Sequence, residues 1–204
     1  MLSTTRIEAA AERSPLVGDA FEVARNAHAG QVRNGSGGLP YIEHPLTVAE
    51  QLAGYDCPDP VLAAALLHDV VEESEIEVEQ IRARFGDRVA ELVAALTDAE
   101  EIESYERRKD VHRADVEAAG REALIIYAAD KLANIRALRR VYAEQGEAVG
   151  AELKAPLDVK VAVWEADAEL LRHIYSDLPF LAELEDQLRG LREDRLAGRP
   201  GRGT

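Results

Sequence analysis

The sequence predicts an all-α protein, on three observations. No segment alternates apolar and polar residues with period two for long enough to make a strand. Apolar residues recur instead at helical spacing, in stretches opened by Ser14-Pro15, His44-Pro45 or Asp59-Pro60 and often closed by glycine. Composition agrees: apolar residues make up 47% of the 204, aromatics only 5%, and Ala, Leu, Val, Glu and Arg dominate, as in a largely helical bundle. The length suits one domain, taken as residues 14–197, between a flexible N-terminus over residues 1–13 and a disordered tail over 198–204.

The first thirteen residues are polar and alanine-rich without a strong cap and are expected to fray. Ser14-Pro15 then supplies an N-cap and a proline at the first helical position, and Leu16, Ala20, Val23, Ala24 and Ala27 form one stripe up to Gly30. Between Gly30 and Glu43 the period is lost. Gly35, Ser36, Gly37, Gly38 and Pro40 mark a loop in which backbone can approach a ligand closely. Pro45 opens the next helix, with Val48, Ala49 and Leu52 facing inward, so His44 is expected at the helix entrance, outside the helix proper.

Asp59-Pro60 opens the stretch that organises the chain. Val61 to Leu67 is an unbroken apolar run, and with no turn signal it becomes His68-Asp69-Val70-Val71-Glu72-Glu73, read as one continuing helix. An imidazole and three carboxylates at the end of a buried helix need something to satisfy them, because unpaired buried charge is very costly. A divalent cation meets that need. His68 and Asp69 are adjacent, and Glu72 and Glu73 follow one turn later as an acid/base pair.

Two short amphipathic helices follow, one with Val78, Ile81 and Phe85, the other with Val89, Leu92, Val93 and Leu96. Residues 98–119 are strongly charged, and Arg107, Arg108 and Lys109 read as a solvated face. A second apolar run, Ala123 to Ala129, again ends in charge at Asp130-Lys131. Residues 155–176 and 179–196 read as two closing helices, with Trp164 a packing anchor. His112 and His173 are expected exposed or partly packed, and His28 bracing the fold.

A formal charge of −15 argues against a nucleic-acid footprint, so any bound phosphate must be held locally. The lone Cys57 excludes a disulfide framework within the chain and a cysteine-rich zinc site, and no stretch approaches membrane-span length. A cytoplasmic setting is expected. Oligomeric state is left open by the sequence.

His44, His68, Asp69 and Asp130 form a nitrogen/oxygen donor set suited to Mn²⁺, Fe²⁺, Zn²⁺ or Mg²⁺. For any single histidine, spacing alone leaves a hydrogen-bonded core imidazole as the alternative. The order His, His-Asp, Asp on helices resembles the HD superfamily of metal-dependent phosphohydrolases. Six ordered blocks extend the likeness: Ala27 to Arg33, Pro40 to Pro45, Ala65 to Glu73, Phe85-Gly86, Leu96 to Asp98 and Ala129 to Asn134. Together they resemble the hydrolase domain of RelA/SpoT proteins over about residues 21–140.

The resemblance implies an HD-domain helical bundle that binds Mn²⁺ and hydrolyses the 3′-pyrophosphate of (p)ppGpp, giving GDP or GTP and pyrophosphate. It implies His44, His68, Asp69 and Asp130 as metal ligands and Glu72 and Glu73 as the catalytic acidic pair. On the substrate it implies Arg33 against the base and Asn134 near the nucleotide. Asn34 beside Arg33, and the cations Lys131 and Arg136 on the helix of Asp130, complete the expected substrate wall. Two positions depart from the family pattern: Glu73 where Asp is usual, and Asn34 where Lys is usual. The alternatives carried alongside are a different nucleotide or phosphorylated metabolite as substrate, and a nucleotide-binding module without turnover.

Overall fold

Two helices buried along most of their length hold together the computed structural model, which describes residues 4–99 and 102–198. In chain order the helices are α1 (Thr5–Arg13), α2 (Pro15–Ala27), α3 (Glu43–Ala53), α4 (Asp59–Leu67), α5 (Val70–Glu73), α6 (Val78–Phe85) and α7 (Asp87–Leu96). After these come α8 (Tyr105–Ala119), α9 (Arg121–Gln145), a 3₁₀ segment (Gly146–Glu152), α10 (Leu157–Ile174) and α11 (Leu181–Leu196). Among the described residues there is no strand, only an isolated antiparallel bridge between Val32 and Pro40 that pinches the glycine-rich loop. No helix there is long and apolar enough to cross a membrane.

Every residue from Val61 to Leu67 in α4 is buried. A helix apolar all round needs neighbours on all sides, and α2, α3 and α7 supply them. Fully burying a side chain such as Leu66 or Leu67 contributes about 1.5–3 kcal/mol, so this packing fixes where the end of α4 lies. The other central helix, α9, packs against α3, α8, α10 and α11 and runs on well beyond Asp130 to Gln145. Asp130 therefore sits in the middle of a rigid element.

Three local expectations are corrected. Thr5–Arg13 is an ordered helix with Ile7 and Ala10 buried. Its first amides, of Arg6 and Ile7, both donate to Glu50 Oε2 at 2.9 Å, which caps the helix and complements its dipole from a residue far along the chain. Gly18 lets α2 approach closely, since a Cβ there would lie 2.9 Å from the Ala11 carbonyl oxygen. Met1 to Ser3, and residues 199–204 of the expected disordered tail, lie outside the described residues.

The second correction concerns the continuous helix over 61–73. It breaks after Leu67: Asp69 has φ −96° and ψ −4°, in the sparsely populated region between helix and strand, before α5 resumes at Val70. The Ala65 carbonyl accepts from the ring Nδ1–H of His68 at 2.8 Å. Thirdly, His44 lies inside the first turn of α3, which starts at Glu43.

Candidate metal centre and its cavity

The break after α4 turns His68 and Asp69 toward the same point as the first turn of α3 and the middle of α9. His44 Nε2 lies 3.2 Å from His68 Nε2, 3.0 Å from Asp130 Oδ1 and 3.5 Å from Asp69 Oδ2. Asp69 Oδ1 is 3.2 Å from His68 Nε2, closing the cluster. The donor atoms of His44, His68 and Asp130 all fall within 4.8 Å of one another, a spread that suits ligands around one ion.

The donor chemistry fits a cation as well. Because a carbonyl can only accept, the bond to Ala65 places the His68 proton on Nδ1 and leaves the Nε2 lone pair facing the cluster. Burial, with Arg33 second, lowers the pKa of His44 to about 4, so its ring is neutral at neutral pH. Burial pushes the Asp130 carboxyl up, but Lys131, with Nζ 2.8 Å from Oδ2, and the two imidazoles outweigh it and hold the group well below the usual carboxylate range. Two imidazole nitrogens and two carboxylates make a donor set that a divalent ion of this class takes.

A shell of hydrogen bonds orients these groups, as such shells do at metal sites. Tyr41 Oη donates to Asp69 Oδ2 at 2.9 Å, while its ring stacks on His28 at 4.6 Å. His28 Nδ1 in turn lies 2.8 Å from Gln31 Oε1, and the Gln31 amide donates to the Glu73 carbonyl at 2.7 Å. Asn134 Nδ2 donates to Asp130 Oδ1 at 2.7 Å, and Asn134 Oδ1 accepts from Arg33.

The cluster forms the floor of a cavity of about 450 Å³. Arg33, Asn34, Glu72, Glu73, Lys131 and Asn134 all line it, so most of the residues singled out from the sequence meet in one place. Arg136 does not: it bonds Gln51 Oε1 at 3.1 Å and pairs with Glu183, in a neighbouring groove. Glu73 reaches outward to Lys154 at 3.3 Å.

Glu72 turns inward, and its Oε1 accepts from the Asp98 amide at 2.6 Å. Burial, then the nearby Asp69 carboxylate, push its pKa up to about 7. In metal-free protein the Glu72 side-chain carbon, followed by NMR, should therefore titrate near pH 7. Adding Zn²⁺ should move the midpoint down, since a nearby cation favours the carboxylate.

Several wall residues were missed or misread from sequence. Asp98 pairs with Lys109, lies 2.9 Å from His112 Nδ1 and 3.6 Å from Arg108 Nε, and its pKa falls well below the usual range: burial raises it, but His112 and Lys109 outweigh that. His112 is thus buried, with its ring edge against Tyr127, and Arg108 and Lys109 face the cavity. The signal available was a cluster of cations in an acidic chain close to the short Leu96-Thr97-Asp98 block. Lys160 and Trp164 on α10 also line the cavity, and no local pattern announces them.

Residues 20–155 match the family model described as HD domain. A guanosine-3′,5′-bis(diphosphate) 3′-pyrophosphohydrolase from Mus musculus is 38% identical over 126 residues, covering 60% of this chain and 69% of its own. One of the same name from Aquifex aeolicus is 33% identical over 156 residues, which is 74% of this chain and 22% of the relative, so the chain spans under a quarter of that protein. Among solved structures, a metazoan ortholog of SpoT that hydrolyses ppGpp superposes with a TM-score of 0.69 at 26% identity, covering 89% of this chain and 96% of its own. The convergence of His44, His68, Asp69 and Asp130 from three separate helical segments lies within the matched span, and the fold agrees over nearly its whole length: the chain belongs to the HD-domain family.

Proposed function

We propose that the chain is a divalent-metal-dependent phosphohydrolase that removes the 3′-pyrophosphate of (p)ppGpp, with Mn²⁺ as the metal. The observation that carries this reading is the four-residue metal-type cluster opening directly onto a cavity whose remaining wall is rich in Lys and Arg, in a chain of net charge −15. The pyrophosphohydrolase names borne by the Mus musculus and Aquifex aeolicus relatives support the choice of substrate.

His44, His68, Asp69 and Asp130 would hold the cation. When bound, it supplies Lewis acidity, lowering the pKa of water and neutralising charge on the phosphoryl oxygens. The chain's own residues do the rest. Glu72, fixed by the Asp98 amide at the edge of the cluster, takes the proton from the attacking water. The water oxygen bonds to the inner phosphorus, the bond from that phosphorus to the 3′ oxygen breaks, and that oxygen gains a proton. Arg33, held by Asn134 with its guanidinium carbon 5.9 Å from the Tyr41 ring centre, offers a flat cationic surface to the base. Lys131 sits beside Asp130 to meet phosphate charge.

The reading goes with a cytoplasmic protein. Neutral Asn34 on the loop wall favours one second reading, a different phosphorylated nucleotide as substrate. Incubating purified, Mn²⁺-loaded protein with ppGpp is expected to release pyrophosphate and GDP. Absence of release from a folded, metal-loaded sample would sink the assignment, and a larger kcat/KM on another nucleotide would select the second reading.

A further inference from the structure

The cations that line the cavity are not equivalent. Lys131 is paired with Asp130, Lys109 and Arg108 with Asp98, and Lys154 with Glu73. Arg33 is tied to the Asn134 amide. Lys160 differs: among the described residues its ammonium has no carboxylate or hydrogen-bond acceptor in reach, and its neighbour is the Trp164 ring, with the centroid 5.1 Å away. Burial, followed by repulsion from Lys109, Arg33 and Lys131, brings its pKa down to about 8 against a weaker attraction from Asp130. An ammonium with no ion pair of its own, facing a cavity among like charges, is unfavourable in the empty protein. An anion placed among those cations reverses the sign of the interaction.

We propose that Lys160 is the specificity-determining cation for the phosphate group of the ligand that is not hydrolysed, the 5′-diphosphate of the guanosine nucleotide. This rests on the function proposed above for its choice of ligand. Two features separate this subsite from the reacting end. Lys131 is already built against Asp130 to serve phosphate at the cluster, whereas Lys160 comes from a different helix, α10, and bonds to none of the four clustered side chains. The Trp164 face holds the long side chain in place without neutralising it, leaving all three N–H donors for phosphate oxygens.

The test uses the full chain loaded with Mn²⁺. Lys160→Met keeps the packing against Trp164 and removes the charge, and Lys160→Arg restores charge. Calorimetric titration with GDP, which carries only the 5′ group, should show affinity reduced by about tenfold or more in Lys160→Met and largely recovered in Lys160→Arg. KM for ppGpp should rise similarly with kcat little changed, while KM for guanosine 3′-diphosphate should not move. Should the Met variant fail to fold, Lys160→Gln supplies the same comparison. Unchanged GDP affinity in the neutral variant, no GDP binding by the wild type, or an equal KM increase for the 3′-only substrate would each overturn the assignment. Failure of the wild type to cleave ppGpp would instead end the hydrolase reading, and Lys160-dependent GDP binding would still support this subsite.

Discussion

Asp130→Asn is expected to leave the protein folded but without bound metal, and to lower kcat by on the order of a thousandfold. The magnitude follows from removing a cation that supplies several kcal/mol of transition-state stabilisation, at about 1.4 kcal/mol per factor of ten. Asp130 is the candidate ligand to test because it serves three partners: Oδ1 lies 3.0 Å from His44 Nε2 and accepts from Asn134 at 2.7 Å, and Oδ2 accepts from Lys131 at 2.8 Å. Asparagine keeps an acceptor for Lys131 while giving up the charge that a hard cation needs. Alanine would do more damage. Lys131 is only 6% exposed, and breaking a buried pair by deleting one partner costs about 3–5 kcal/mol. Metal analysis of the purified variants and their melting temperatures separate the two effects. Full metal occupancy and wild-type turnover in Asp130→Asn would remove Asp130 from the ligand set.

Asp130 was legible in the sequence for the reason that makes it costly to replace. A carboxylate at the end of the run Ala123 to Ala129 has no reason to be there unless something satisfies it, and the same logic exposed His68 and Asp69 after α4. Helical periodicity likewise gave the all-α class and most of the element order. What it could not give depends on distant partners. The order of α1 comes from Glu50, on another helix. The break between α4 and α5 has no glycine or proline to mark it, because backbone dihedrals at Asp69 and the His68 side chain make it. His112 read as exposed or partly packed because its helix is charged on most faces, and Asp98 draws it inward across an intervening loop. Arg136 failed in the opposite sense: sharing α9 with Asp130 did not place it on the same wall, since Gln51 and Glu183 hold it elsewhere.

Glu72→Gln is expected to lower kcat by about 10²–10⁴-fold, the range for removing a positioned general base, with KM changed by less than about threefold. The substitution is isosteric, and the amide oxygen can still accept from the Asp98 N–H, which Glu72 Oε1 does at 2.6 Å. Losing a carboxylate that burial and Asp69 already push up to about 7 relieves the metal-free protein of a charge it holds at a cost, so stability above pH 7 should not fall. Activity and stability therefore part company in this variant, which a merely structural residue would not produce. Glu73→Gln provides the contrast. Glu73 points to Lys154 at the cavity rim and is more exposed to solvent than the clustered carboxylates, so its loss should cost less than about tenfold in kcat. A Glu72→Gln enzyme with kcat within about threefold of wild type, or a deeper loss in Glu73→Gln, would move the base from the inward carboxylate to the outward one. The Asp98 amide would then be holding a group with no part in the proton transfer.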